Sequence, residues 1–304
     1  MVRKRMKTLI ALAAAMTAVF SGPAAAQTAA HEVQAREIYA RIISFRTAAG
    51  QKQTPAMVAY LVEVLKSGGV PEADIATIDA EGERALIVRL PGREQGRPIL
   101  FSAHMDVVDA RREEWERSPF ELIEEKGNFY GRGTSDNKAG VVALVSTILR
   151  FKAEKMQPAR ELVFAFVADE ETGMITTGMI AAHPWVKNAE FAINTDAGGG
   201  ILDETSGKPL IYLVQGAEKT YATFDVIVNN TGGHSSRPRS DNAIYQLARA
   251  LGKVEAYRFP VVANDLTRAY LGAVGKAQSG PLGEALRRFA ADPTDAAAAE
   301  TLAK

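Results

Sequence analysis

The chain has 304 residues, no cysteine, and 36 basic against 36 acidic side chains, so its formal net charge is zero. Without cysteine it has no disulfides, no thiolate metal ligands and no thiol nucleophile. With no net charge, and no basic cluster beyond the first few residues, it lacks the electrostatic footprint of a nucleic-acid-binding protein.

In chain order, Arg3, Lys4, Arg5 and Lys7 form a basic stretch, residues 9–20 an apolar core, and Ala24-Ala25-Ala26 a small-residue cleavage site. Together they predict an export signal over residues 1–26 and a mature protein in a periplasm or outside the cell. The apolar run is too short for a comfortable membrane span; an uncleaved anchor is the alternative. Residues 33–45 read as a helix, with Ile38, Ile42 and Phe45 at helical spacing. A second helix opens with Pro55 and closes at Gly68-Gly69. Strands are expected over 85–90 and 99–103, separated by the turn Pro91-Gly92.

The clearest helix covers 138–151, where Val141, Leu144, Val145, Ile148 and Leu149 make one apolar stripe. A strand over 162–168, a helix near 174–182 and strands over 191–194 and 210–214 follow. Strands alternating with helices predict an α/β fold, a mostly parallel sheet sandwiched by helices. From about residue 217 the pattern changes. Residues 221–228 alternate with period two, and an amphipathic helix carries Ile244, Leu247, Leu251 and Val254. The expected division is a metal-binding catalytic domain over 27–216 and a smaller α+β lid or dimerisation domain over 217–304, with an alanine-rich helical tail from Pro281.

The residues that carry chemistry stand just past the apolar runs. His104 and Asp106 lie two apart on one side of an extended segment, which suits a ligand and the carboxylate that orients it; a hydrogen-bonded histidine at a strand end is the plainer reading. Asp136 follows Gly131-Arg132-Gly133-Thr134-Ser135 and could bridge two cations or merely cap the next helix. Glu170 and Glu171 are adjacent carboxylates at a strand end, where they repel unless a positive charge is near. One could bind metal while the other takes a proton; solvated turn glutamates are the alternative. Asp196 sits in a glycine-rich turn and His234 in the loop Gly232–Ser236, while His31 and His183 read as surface residues. The chain has no G-x-S-x-G elbow, which disfavours a serine hydrolase.

Five segments in this order resemble the M20 family of metallopeptidases, which includes aminoacylases, succinyl-diaminopimelate desuccinylase, acetylornithine deacetylase and glutamate carboxypeptidase. They are residues 99–108 (ILFSAHMDVV), 131–140 (GRGTSDNKAG), 168–173 (ADEETG), Thr195-Asp196 and 232–236 (GGHSS). The resemblance implies that His104, Asp136 and Asp196 hold one zinc and that Asp136 bridges to a second zinc held also by Glu171; Co2+ is a substitute. Glu170 would be the general base and then the acid, Asp106 the orienter of His104, and His234 a lid residue reaching a dimer partner's site. It also implies hydrolysis of small peptides or N-acyl amino acids by metal-activated water, and a homodimer formed through the lid.

Asn137, Ala139 and Ala197 depart from the residues many relatives carry there. The family takes a last histidine ligand from a returning segment, and no histidine follows His234. The expectation is therefore a chain truncated before that ligand, which holds at most one zinc firmly and hydrolyses poorly. An M28-type aminopeptidase is the rival enzyme reading, and an inactive chain that only binds metal or dimerises is the rival from another class.

Overall fold

The computed structural model describes residues 22–203, 205–218 and 220–303, so most of the expected export signal lies outside the described residues. Cα packing divides the chain into two units, one up to Tyr212 and one from Leu213.

The first unit is built on a five-stranded sheet. Its strands are β1 (Ile75–Ala80), β2 (Glu83–Leu90), β3 (Ile99–His104), β6 (Leu162–Val167) and β7 (Phe191–Asn194), in the order β1-β2-β6-β3-β7. β2 is antiparallel to both β1 and β6, while β6, β3 and β7 are mutually parallel, so every strand except β2 points the same way. This is the mostly parallel sheet expected from the alternation of strands and helices. Ala85, Leu86, Ile87 and Val88 of β2 are all buried, as are Val163–Val167 of β6. Consecutive burial of this kind requires both faces of a sheet to be covered.

The cover comes from α1 (Gly22–Ile43), α2 (Thr54–Ser67), α3 (Lys138–Ala153) and α4 (Ile175–Ala182). In α3 the whole stripe of Val141, Leu144, Val145, Ile148 and Leu149 is buried. Phe164 and Phe166 lie in the same core, and truncating either to alanine would cost about 3–5 kcal/mol. A short hairpin of β4 (Ile123–Glu125) and β5 (Asn128–Tyr130), turning at Lys126-Gly127, and a pair β8 (Gly199–Leu202) and β9 (Pro209–Leu213) complete the strands.

In the second unit, the described regular structure after β9 is helical: α5 (Ala243–Ala256), α6 (Asp265–Ala277), α7 (Gly280–Ala291) and α8 (Ala296–Leu302). Asn242, Asn264 and Asp295 cap three of these helices with side-chain oxygens. Gly275 brings α6 close to α7, since a Cβ there would fall 2.9 Å from that of Leu286. The strand expected over 221–228 does not form. Tyr221, Phe224 and Ile227 are 88%, 84% and 74% exposed, and an alternating segment becomes a strand only where a neighbour offers a ladder. No helix among the described residues is long and apolar enough to cross a membrane.

Candidate metal centre

The sheet register assembles the site. His104, the last residue of β3, is level with Val167 at the end of β6, and Ser102 is level with Asn194 at the end of β7. The loop carrying Glu170 and Glu171 and the turn carrying Asp196 therefore leave the sheet on the edge where His104 stands. That edge, the carboxyl ends of parallel strands, is where open α/β sheets build their chemistry. Asp136 enters from the glycine-flanked loop that leads into α3.

Two sets of potential ligands result, with His104 common to both. His104, Asp136 and Glu171 form one, and His104, Glu170 and Asp196 the other; within each set the ligand atoms lie within 4.8 Å of one another. His104 is 2% exposed, with Nε2 2.7 Å from Asp136 Oδ1 and 3.7 Å from Asp196 Oδ2. Asp136 and Asp196, expected together on one ion, thus fall into different sets that share His104. Glu170, expected to act only as base, belongs to a ligand-capable set of its own.

The other ring nitrogen settles the tautomer. His104 Nδ1 lies 2.9 Å from the Asp106 backbone carbonyl, which can only accept, so Nδ1 carries a proton and a neutral imidazole offers its lone pair at Nε2. The Asp106 carboxylate is farther, 3.5 Å from Nδ1, and its Oδ2 instead accepts from the Glu171 backbone N–H at 2.9 Å. The sequence pointed to the carboxylate of Asp106 as orienter; the nearer contact is its main chain.

Two supporting residues escaped the sequence reading. Asp169 is buried and accepts from Ile175 N, Thr176 N and Thr176 Oγ1, so it caps α4 and pins the start of the Glu170–Glu171 loop. Beside two further acids it has no spacing of its own to mark it in the sequence. Lys138 is fully buried and its Nζ donates to the carbonyls of Ile42 and Phe45 at 3.0 and 2.7 Å, satisfying acceptors at the end of α1. A lysine at a helix start, two residues after an aspartate, carries no signal in its spacing, so nothing marked it.

Charge is concentrated here. Burial opposes ionisation of His104, but the carboxylates of Asp106, Asp136 and Asp196 outweigh it and raise its pKa to about 9. Burial and the neighbouring carboxylates push Glu170 and Glu171 above their usual range, with His104 pulling the other way.

Residues 100–284 match the family described as "Peptidase family M20/M25/M40". The chain belongs to this family. Among its relatives, human N-fatty-acyl-amino acid synthase/hydrolase PM20D1 is 35% identical over 167 residues, 54% of this chain and 33% of that protein. A probable succinyl-diaminopimelate desuccinylase of Staphylococcus aureus is 35% identical over 152 residues, 49% of this chain and 35% of that protein. The chain spans about a third of the length of these curated relatives. The crystal structure of human carnosine dipeptidase 1 aligns with 57% of this chain and 42% of its own at 18% identity, with a TM-score of 0.49.

M20 peptidases are metal-dependent, and the residues present fit a metal ion. One imidazole and four carboxylates converge, and burial together with the neighbouring carboxylates raises the proton affinity of Glu170 and Glu171, which a divalent cation would relieve. Asp106 Oδ1 is buried without a hydrogen-bond partner, as suits a group whose task is to bias a charged neighbour. His234 lies in the second unit, exposed, with Nδ1 2.8 Å from Ser236 Oγ. His31 and His183 are half-buried rather than on the surface, and burial lowers the pKa of His183, which packs edge-on against Trp185.

Proposed function

We propose that the protein is a zinc-dependent hydrolase of amide bonds in small peptides or N-acyl amino acids. The observation that carries this reading is the convergence of two carboxylate-bearing ligand sets on one histidine, His104. Family membership and the acyl-amino-acid and desuccinylase relatives support it. In this reading His104, Asp136, Glu171 and Asp196 would hold zinc, which when bound would supply polarisation of the scissile carbonyl and a water pKa lowered toward about 7. Glu170 takes a proton from the attacking water at a carboxylate oxygen and returns it to the departing amine nitrogen. Its raised proton affinity suits both halves of that transfer.

Replacing the base isosterically tests the assignment. Glu170→Gln should lower turnover of small N-acyl amino acids and dipeptides by about 10²–10⁴-fold, with zinc content by elemental analysis unchanged. Retained turnover would remove Glu170 from the mechanism. Export through residues 1–26 and pairing of two copies through the second unit, with His234 serving the partner's site, belong to the same proposal. N-terminal sequencing of secreted protein and sedimentation analysis check them; an intact N-terminus or a monomer at all concentrations would sink the respective part.

A further inference from the structure

Asn137 and Thr195 connect the two sides of the metal centre. Asn137 is fully buried, with Oδ1 3.0 Å from Thr195 Oγ1, and Thr195 Oγ1 lies 3.1 Å from the Ser102 carbonyl. A hydroxyl has one hydrogen and cannot serve two acceptors at once. Asn137 Nδ2, meanwhile, is buried without a partner. Turning the amide over resolves both problems: Nδ2 donates to Thr195 Oγ1, which donates to Ser102 O. The approach is close because residue 140, in the first turn of α3, has no side chain. A Cβ on Gly140 would fall 2.0 Å from Asn137 Oδ1 and 2.1 Å from Thr195 Oγ1.

Asn137 directly follows Asp136, and Thr195 directly precedes Asp196. The latch therefore joins the main chain beside the two carboxylates that flank His104 Nε2 at 2.7 and 3.7 Å. Asp136 arrives on the loop before α3 and Asp196 on the turn after β7, and both residues are exposed. We propose that Asn137 and Thr195 are positioning residues that set the separation of the Asp136 and Asp196 carboxylates, and thereby the affinity of the site for zinc. This rests on the reading of those carboxylates as metal ligands.

The test is a zinc titration of the full-length, metal-stripped chain against a competing chelator, with far-UV circular dichroism as the check on folding. Thr195→Val removes the hydroxyl at constant shape and should weaken zinc binding about 10–100-fold, the usual cost of losing support behind a ligand. Thr195→Ser, which keeps the hydroxyl, should restore affinity to within a few-fold. Asn137→Leu reads the other half of the latch if the valine variant fails to fold, and should weaken zinc binding similarly. Zinc affinity within twofold of the parent in both Thr195→Val and Asn137→Leu would overturn the inference, as would a serine variant as weak as the valine one. No zinc uptake by the parent protein would instead overturn the ligand reading, and this inference with it.

Discussion

Asp106 Oδ2 accepts a hydrogen bond from the backbone N–H of Glu171 at 2.9 Å, while Oδ1 of the same carboxylate stands 3.5 Å from His104 Nδ1. One buried side chain thus ties the end of β3 to the loop after β6. Only the Glu171 N–H donates to it; Oδ1 makes no hydrogen bond but faces the ring edge whose Nδ1 proton goes to the Asp106 carbonyl. An amide has one oxygen and cannot present an acceptor both to the Glu171 N–H and to the Nδ1–H edge of the ring. Asp106→Asn should therefore turn an NH2 group against one of them and loosen either the ring or the loop. The expected result is a loss of about 10–100-fold in zinc affinity, read by chelator competition; unchanged affinity would show that the Asp106 carbonyl orients His104 unaided.

Asp169 carries a different load. Its carboxylate accepts the first N–H groups of α4 and the Thr176 hydroxyl, and Thr176 Oγ1 in turn accepts from Ala168 N. Asp169→Ala removes the cap and strands buried donors, at a cost of about 2 kcal/mol in urea unfolding. Asp169→Asn keeps an acceptor and should recover at least half of that. Equal losses in the two variants would mean that charge, not hydrogen bonding, holds α4.

Lys138 gives the protein a pH signature. Burial lowers its pKa to about 7, with the Asp106 charge opposing. Because this lies below the ordinary 10.5, the unfolded chain binds the extra proton between those pH values. Stability from this group therefore rises as the pH climbs from about 7 toward 10.5. Lys138→Met leaves the Ile42 and Phe45 carbonyls without their donor and should cost about 2–3 kcal/mol. In metal-free protein, the gap between parent and Lys138→Met should widen from pH 7 to pH 9.5. His104 titrates alike in both proteins and drops out of the difference. A gap independent of pH would place the lysine pKa near its ordinary value.

Elements that bury their own periodicity were legible in the sequence. The stripe of α3 and the apolar runs of β3 and β6 meet a core wherever the chain goes, so composition alone marks them. The strand β1, IATIDA, was missed because its hydrogen bonds come from β2, and no local signal announces an antiparallel neighbour. The reverse error arose over 221–228, where alternation suggested a strand and no ladder formed. At the metal centre, His104, Asp136, Glu170, Glu171 and Asp196 were visible as polar residues at strand ends and in a glycine loop. Asp169, Lys138 and the Asn137–Thr195 contact were not, because their partners are main-chain groups or lie far along the chain.

Gly140 brings local and long-range constraints together at one backbone position. It lies inside a helix, where alanine is ordinarily the more stable residue by about 0.8–1.0 kcal/mol. Propensity therefore predicts that Gly140→Ala stabilises the protein. Packing predicts the opposite, since the new Cβ would meet the Asn137 amide and the Thr195 hydroxyl at 2.0 and 2.1 Å. Both side chains are short, Asn137 fully buried and Thr195 half-buried, with little room to retreat, so the start of α3 must shift away from β7. A forced shift of this kind typically costs about 1–3 kcal/mol, more than propensity returns. The variant should thus unfold at lower urea than the parent, and its zinc affinity should fall in step because the shift moves Asp136 from Asp196. A gain in stability with unchanged zinc binding would show that the contact can open without disturbing the carboxylates.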